Sequence, residues 1–125
     1  MKLTENTRRR FLLSLFLIPA AVAVLYGCSL KYSGPRVVKG GVMFHIKAED
    51  AKRVAVAGSF NQWNADKDIL SGPDKNGEWS IVIPLADGRY EYLFLMDGTR
   101  LFLDPDAPVA EDSFGGRNSV VSIKR

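Results

Sequence analysis

From Val42 onward, apolar residues recur at every second position, and this period constrains the chain more than any other feature. Val42, Phe44 and Ile46 alternate with Met43, His45 and Lys47; Val54 and Val56 alternate with alanines; Trp79, Ile81, Ile83 and Leu85 alternate with Ser80, Val82 and Pro84. A period of two sends successive side chains to opposite faces of an extended backbone, so these are half-buried strands. No window has helical spacing. The run Tyr90 to Met96 is apolar on both faces except at Glu91, the pattern of a central strand, and shorter candidates follow at Leu101 to Leu103 and Ser119 to Ile123. Turn residues punctuate the runs: "GPDKNG" at Gly72 to Gly77, "ADG" at Ala86 to Gly88 and "MDG" at Met96 to Gly98. Asp97-Gly98 tolerates the positive φ angles of a two-residue hairpin turn. Six or seven short strands in about 85 residues predict an all-β fold, a β-sandwich of immunoglobulin-like type.

The first 27 residues read differently. Lys2, Arg8, Arg9 and Arg10 form a basic start, and Phe11 to Tyr26 is almost wholly apolar before Gly27 and Cys28. That apolar segment is short for a membrane span, which needs about 20 residues, and reads instead as an export signal. "LYGC" resembles a bacterial lipobox, with Tyr26 where a small residue usually sits, and implies lipidation of Cys28 after cleavage. The alternatives are an uncleaved anchor or an ordinary signal in which Cys28 is incidental. "TRRRFLL" resembles the twin-arginine export pattern, while Phe11 to Leu17 is apolar enough for the general route. Residues 28 to 41, rich in glycine and charge, read as a tether in which structure starts near Arg36 or Val42. The expected location is the cell envelope, on a membrane facing the periplasm or the cell surface. Ser29 after the cysteine is compatible with transport to an outer membrane.

Setting the signal aside changes the charge. Of 17 basic residues four lie in residues 1 to 27, and of 14 acidic residues only Glu5 does, leaving 13 of each. A neutral domain gives no support for nucleic-acid binding, which needs a basic face. The only cysteine is Cys28, so stability comes from packing and not from an intrachain disulfide. His45, the only histidine, lies on the polar face of its strand, which argues against a histidine triad or a multi-histidine metal site. Asp104 and Asp106 in "LDPDAP" could suggest paired catalytic carboxylates, but Pro105 and Pro108 favour a rigid turn. Glu111 and Asp112 read as a solvated loop. No phosphate-binding glycine loop is present. The chain reads as non-catalytic and without a cofactor.

The chemistry-bearing stretch is "GSFNQW". The strand ends at Gly58, Phe60 can fold back as a core plug, and Asn61 can hydrogen-bond nearby backbone to shape the turn. Trp63 is thereby pushed to the rim. An indole there serves either as a cap on the sandwich end or as a flat platform for the apolar face of a sugar ring. Trp79 alternates with Ile81 and Ile83 and belongs to the core.

"VAVAGSFNQW", "YEYLFLMDG", "LDPDAP" and "GRNSVVSI", in that order over residues 42 to 123, resemble the glycogen-binding domain of the AMP-activated protein kinase β subunit and the related family 48 carbohydrate-binding modules. The resemblance implies an early-set immunoglobulin-like sandwich that binds α-1,4-glucan on one face. It places Trp63 on the family's first stacking tryptophan, Asn118 on a sugar-bonding asparagine, and Phe114 on the hydrophobic residue that enters the glucan ring. Three positions depart from the pattern. Leu93 replaces a lysine, Gly116 stands where a hydroxyl-bearing residue is expected, and Arg100, Leu101 or Phe102 must fill the place of the second tryptophan, with Arg100 a candidate added donor. The expected function is a membrane-anchored, non-catalytic module binding an α-glucan-like carbohydrate. The alternative is a protein-interaction module of the envelope, with sugar binding lost and Leu93 part of the docking face.

Overall fold

The computed structural model describes residues 34–125. The export signal, Cys28 and the tether as far as residue 33 lie outside the described residues. Among the described residues there are eight strands: β1 (Arg36–Val38), β2 (Gly41–Lys47), β3 (Val54–Gly58), β4 (Glu78–Ile83), β5 (Gly88–Met96), β6 (Arg100–Phe102), β7 (Val109–Glu111) and β8 (Arg117–Ile123), with a 3-10 turn at Ser59–Asn61. All pairings are antiparallel. One sheet has the order β1-β2-β4, and the other β3-β5-β8-β7 with β6 also paired to β5. This is the two-sheet sandwich that the alternation predicted.

Two strands went unread in the sequence. β1 falls inside the stretch read as tether and pairs with β2, Val37 opposite Val42. β7 is three residues long and follows Pro108, too short for any period to register, and β8 supplies its pairing.

The core follows the period of two. Val42, Phe44 and Ile46 from one sheet meet Val54, Val56, Tyr92 and Phe94 from the other, each at most 6% exposed. Tyr92 is the hub: its ring stands edge-on to Phe44 at 5.0 Å and to Phe94 at 5.7 Å, arrangements in which ring edge meets ring face. Trp79 is buried as expected, and its Nε1 donates to the Ala48 carbonyl at 2.9 Å.

β5 is central, flanked by β3 on one side and by β8 and β6 on the other. Its second apolar face is not covered by another layer among the described residues: Leu93 and Leu95 are half-buried on the outer face of the sheet. The β5–β6 connection carries positive φ at Asp97 (52°) and Gly98 (75°), as the dipeptide predicted, although Met96 pairs with Arg100 so that three residues intervene. Asp97 Oδ1 also accepts from the Lys52 and Arg53 amides at 2.7 and 3.0 Å, which holds its carboxyl below the usual range and ties this turn to the start of β3.

"LDPDAP" is a structural clamp. Asp104, 3% exposed, accepts from the Tyr92 hydroxyl at 2.6 Å, and the Asp106 amide donates to its other oxygen at 2.9 Å. The Asp104 amide donates to Ser119 Oγ at 2.8 Å, joining the clamp to β8. Burial pushes the Asp104 carboxyl above its ordinary value of 3.8, opposed by the hydrogen bonds from Tyr92 and the Asp106 amide. The folded state therefore holds this proton more tightly than the unfolded chain. Its contribution to stability falls as pH rises from about 3.8 to the raised value and is level above it. Urea titrations at a series of pH values should show that falling segment in the wild type and not in Asp104→Asn. Tyr92→Phe should lower stability by about 1.5–3 kcal/mol, the range for a buried hydrogen bond to a charged group.

Candidate carbohydrate-binding face

The site is built on the free edge of β3. Val54, Val56 and Gly58 turn their amides and carbonyls away from β5, and five of those groups are matched along the edge. Leu70 N donates to Val54 O at 2.9 Å and Val56 N donates to Asp68 O at 3.0 Å, so residues 68–70 serve as a short backbone partner. Beyond that point a side chain takes over. Asn61 Oδ1 accepts from Gly58 N at 2.9 Å, and Asn61 Nδ2 donates to Val56 O at 3.0 Å and to Asp68 Oδ2 at 2.8 Å. The carboxamide is 1% exposed and does the work of a missing strand. The last rung is Trp63, whose amide donates to Gly58 O at 2.9 Å.

The rest of "GSFNQW" serves this geometry. Phe60 folds back against Phe44, ring centroids 5.3 Å apart, and a Cβ on Gly58 would stand 2.7 Å from the Phe60 ring and 2.6 Å from Glu91 O, so only glycine fits there. Gln62 and Trp63 both adopt left-handed φ, 57° and 58°. For residues with a Cβ each such angle costs about 1–2 kcal/mol, and such strain concentrates at functional positions. The result is an indole 44% exposed at the end of β3.

Register fixes what lies beside it. Ala57 pairs with Leu93, and continuing the β5–β8 register past Tyr92 and Ser119 brings Leu93 opposite Asn118, which pairs in turn with Ala110. Ala57, Leu93 and Asn118 thus share one row on the outer face of the sheet. Asn118 is half-buried and lies two strand spacings, roughly 10 Å, from β3. A second row runs Ile69, Ala55, Leu95, Leu101, with Ile69 46% and Leu101 63% exposed. Phe114 stands at the tip of the β7–β8 hairpin, 97% exposed.

Arg100 is not brought to this face. It pairs with Met96, and alternation sends it to the side opposite Leu95 and Leu101. Its guanidinium lies 3.8 Å from Asp97 and 5.5 Å over the Phe102 ring. Of the three residues considered for the second aromatic position, strand parity puts Leu101 on the outer face and Arg100 and Phe102 on the other. Ile69 and Asp68 went unread because they are joined to β3 only by tertiary pairing.

A shallow hollow lies at Lys52, Arg53, Asp97 and Gly98 and another at Val38, Gly41, Pro84 and Arg125, both away from Trp63 and Asn118. The candidate site is a rimmed surface and not a pocket. Asp104, buried under Tyr92, is a fold element.

The two-sheet antiparallel sandwich, with Trp63 exposed beyond the end of β3 and Asn118 on the outer face of the β3-β5-β8-β7 sheet, has the architecture of a carbohydrate-binding module. The model of the family described as the glycogen recognition site of AMP-activated protein kinase matches residues 42–125, and the chain belongs to that family. The chain is 38% identical over 96 residues to the 1,4-alpha-glucan branching enzyme of Corynebacterium jeikeium (strain K411), covering 74% of this chain and 14% of that protein. It is 32% identical over 84 residues to the branching enzyme of Bacillus caldolyticus, covering 62% of this chain and 13% of that one. It is 30% identical over 74 residues to the 5'-AMP-activated protein kinase subunit beta-1 of Sus scrofa, covering 59% of this chain and 57% of that subunit. The chain therefore spans about one-seventh of the branching enzymes it matches, and the shared part is the binding module.

Asn61→Ala should lower stability by roughly 2–5 kcal/mol, because it strands the buried Gly58 amide and Val56 carbonyl, each costing about 1–3 kcal/mol. The shift in urea midpoint measures it, and a change under 1 kcal/mol would contradict the role given to the carboxamide.

Proposed function

We propose that this protein is a membrane-tethered, non-catalytic module that holds an α-glucan-like carbohydrate on the outer face of its β3-β5-β8-β7 sheet. The observation that carries this reading is Trp63: a half-exposed residue in a left-handed backbone whose amide is bonded to the end of β3. Trp63 stacks on the apolar face of a glucose unit, Asn118 exchanges hydrogen bonds with its hydroxyls, and Phe114 makes the apolar contact from the hairpin tip. Membership of a glycogen-recognition family supports the same ligand class.

Leu93 in place of a cationic donor, and Leu101 in place of a second indole, leave fewer polar contacts. Affinity is accordingly near millimolar, about −4 kcal/mol. Mobility in gels containing amylopectin or glycogen tests the reading. Wild type should be retarded in proportion to polysaccharide concentration, and Trp63→Ala should lose about 1 kcal/mol, roughly a fivefold weakening. Equal mobility of the two at every concentration refutes it.

The tether and the location are part of the proposal. Lipidation at Cys28 fixes the module to a membrane of the cell envelope. Metabolic labelling with palmitate should mark the wild type, and Cys28→Ser should abolish the label and release the protein from the membrane fraction.

One observation favours a second reading. Ile69, Leu93, Leu95 and Leu101 make the same outer face unusually aliphatic, with Leu101 63% exposed. An envelope protein docking there would bury it. Loss of crosslinks to one dominant partner in Leu101→Asp, together with no glycan retention in wild type, decides for that reading.

A further inference from the structure

One carboxylate organises the hairpin that carries Phe114. Asp112 Oδ1 accepts from the Phe114 amide at 2.8 Å and from the Gly116 amide at 2.7 Å. The Asp112 amide donates to the Gly116 carbonyl at 2.8 Å, and Gly115 turns the chain at φ 81°. With its own amide pinned, Phe114 projects outward at 97% exposure.

Gly116 is what makes the clamp possible. A Cβ there would stand 2.5 Å from Asp112 Oδ2, closer than such atoms approach, and 3.2 Å from its Cγ, a tight contact. The φ of Gly116 is not in the left-handed region, so the demand is for room and not for backbone freedom. A side chain at 116 therefore forces the carboxylate to move from the position in which it holds the two amides. In this loop a hydroxyl-bearing residue at 116 competes with the Asp112 clamp for the same space.

We propose that Asp112 and Gly116 act together as a positioning pair that presents Phe114 as a preformed apolar wedge, replacing a hydroxyl contact to the sugar with shape and rigidity. This rests on the carbohydrate reading of the same face. Ordering a loop and a side chain on binding opposes association, and a loop already ordered avoids that loss. Asp112 touches no ligand and acts through Phe114.

The test uses the full-length chain, with β-cyclodextrin and amylopectin as probes and amide hydrogen exchange as a readout independent of any glycan. Phe114→Ala should weaken binding to both probes. Asp112→Ala and Gly116→Ser should each weaken it about three- to tenfold while leaving the thermal midpoint unchanged, and Asp112→Asn, whose Oδ1 still accepts, should recover most of the affinity. The Phe114 and Gly116 amides should exchange slowly in wild type and rapidly in Asp112→Ala and Gly116→Ser. Gly116→Ser is the decisive variant, because it adds a hydroxyl beside the sugar face yet should bind worse. Binding by Gly116→Ser equal to or tighter than wild type overturns the proposal, as does an Asp112→Ala that binds like wild type. If wild type binds neither probe, the carbohydrate reading itself fails. Exchange then judges the clamp alone: wild-type amides that exchange at free-peptide rates overturn it, and protection lost in both variants upholds it.

Discussion

A side chain closes the open edge of β3, and the segment that carries Trp63 depends on that closure. An unpaired strand edge leaves amides and carbonyls that must find partners or water. Here residues 68–70 satisfy the first half of the edge, the Asn61 carboxamide the second, and the Trp63 amide the final carbonyl. The backbone of Trp63 is therefore tied to the end of β3. That is how a large aromatic remains half exposed without collapsing onto the core, and why the left-handed angles at Gln62 and Trp63 are tolerated.

The opposite end of the face uses the same device with different atoms. Asp112 satisfies two amides of the hairpin tip as Asn61 satisfies the edge of β3, and each fixes backbone next to an exposed aromatic residue. Between the two ends the outer face of the sheet carries the small residues Ala55 and Ala57 and the half-buried Leu93 and Leu95. Behind it Tyr92 and Asp104 bind β5 and β8 to the turn before β7. Any surface that binds through few contacts gains from a rigid base, because ordering left until association subtracts from affinity.

The fold was legible because one face of each main strand is buried and the other wet, which stamps a period of two on the sequence. It failed at β1 and β7, three residues each, where pairing comes from a neighbour and leaves no local pattern. Within the candidate site, the roles of Gly58, Phe60 and Asn61 could be anticipated, since each acts within a few residues of itself. Asp112 carries a local signal of the same kind, an aspartate whose carboxylate serves amides two and four residues on. Arg100 is the instructive miss: proximity in sequence suggested a donor, and strand parity sent it to the other side of the sheet.

The sequence alone determined an antiparallel β-sandwich, a neutral stretch following a basic and then apolar N-terminal one, and a tryptophan just beyond the end of a strand, because period, charge and turn chemistry are local properties. Only the tertiary structure decided which residues share a face. A shift of one residue in strand register exchanges inside for outside. The row of Ala57, Leu93 and Asn118 joins three strands far apart in the chain, and no spacing within a single strand encodes it.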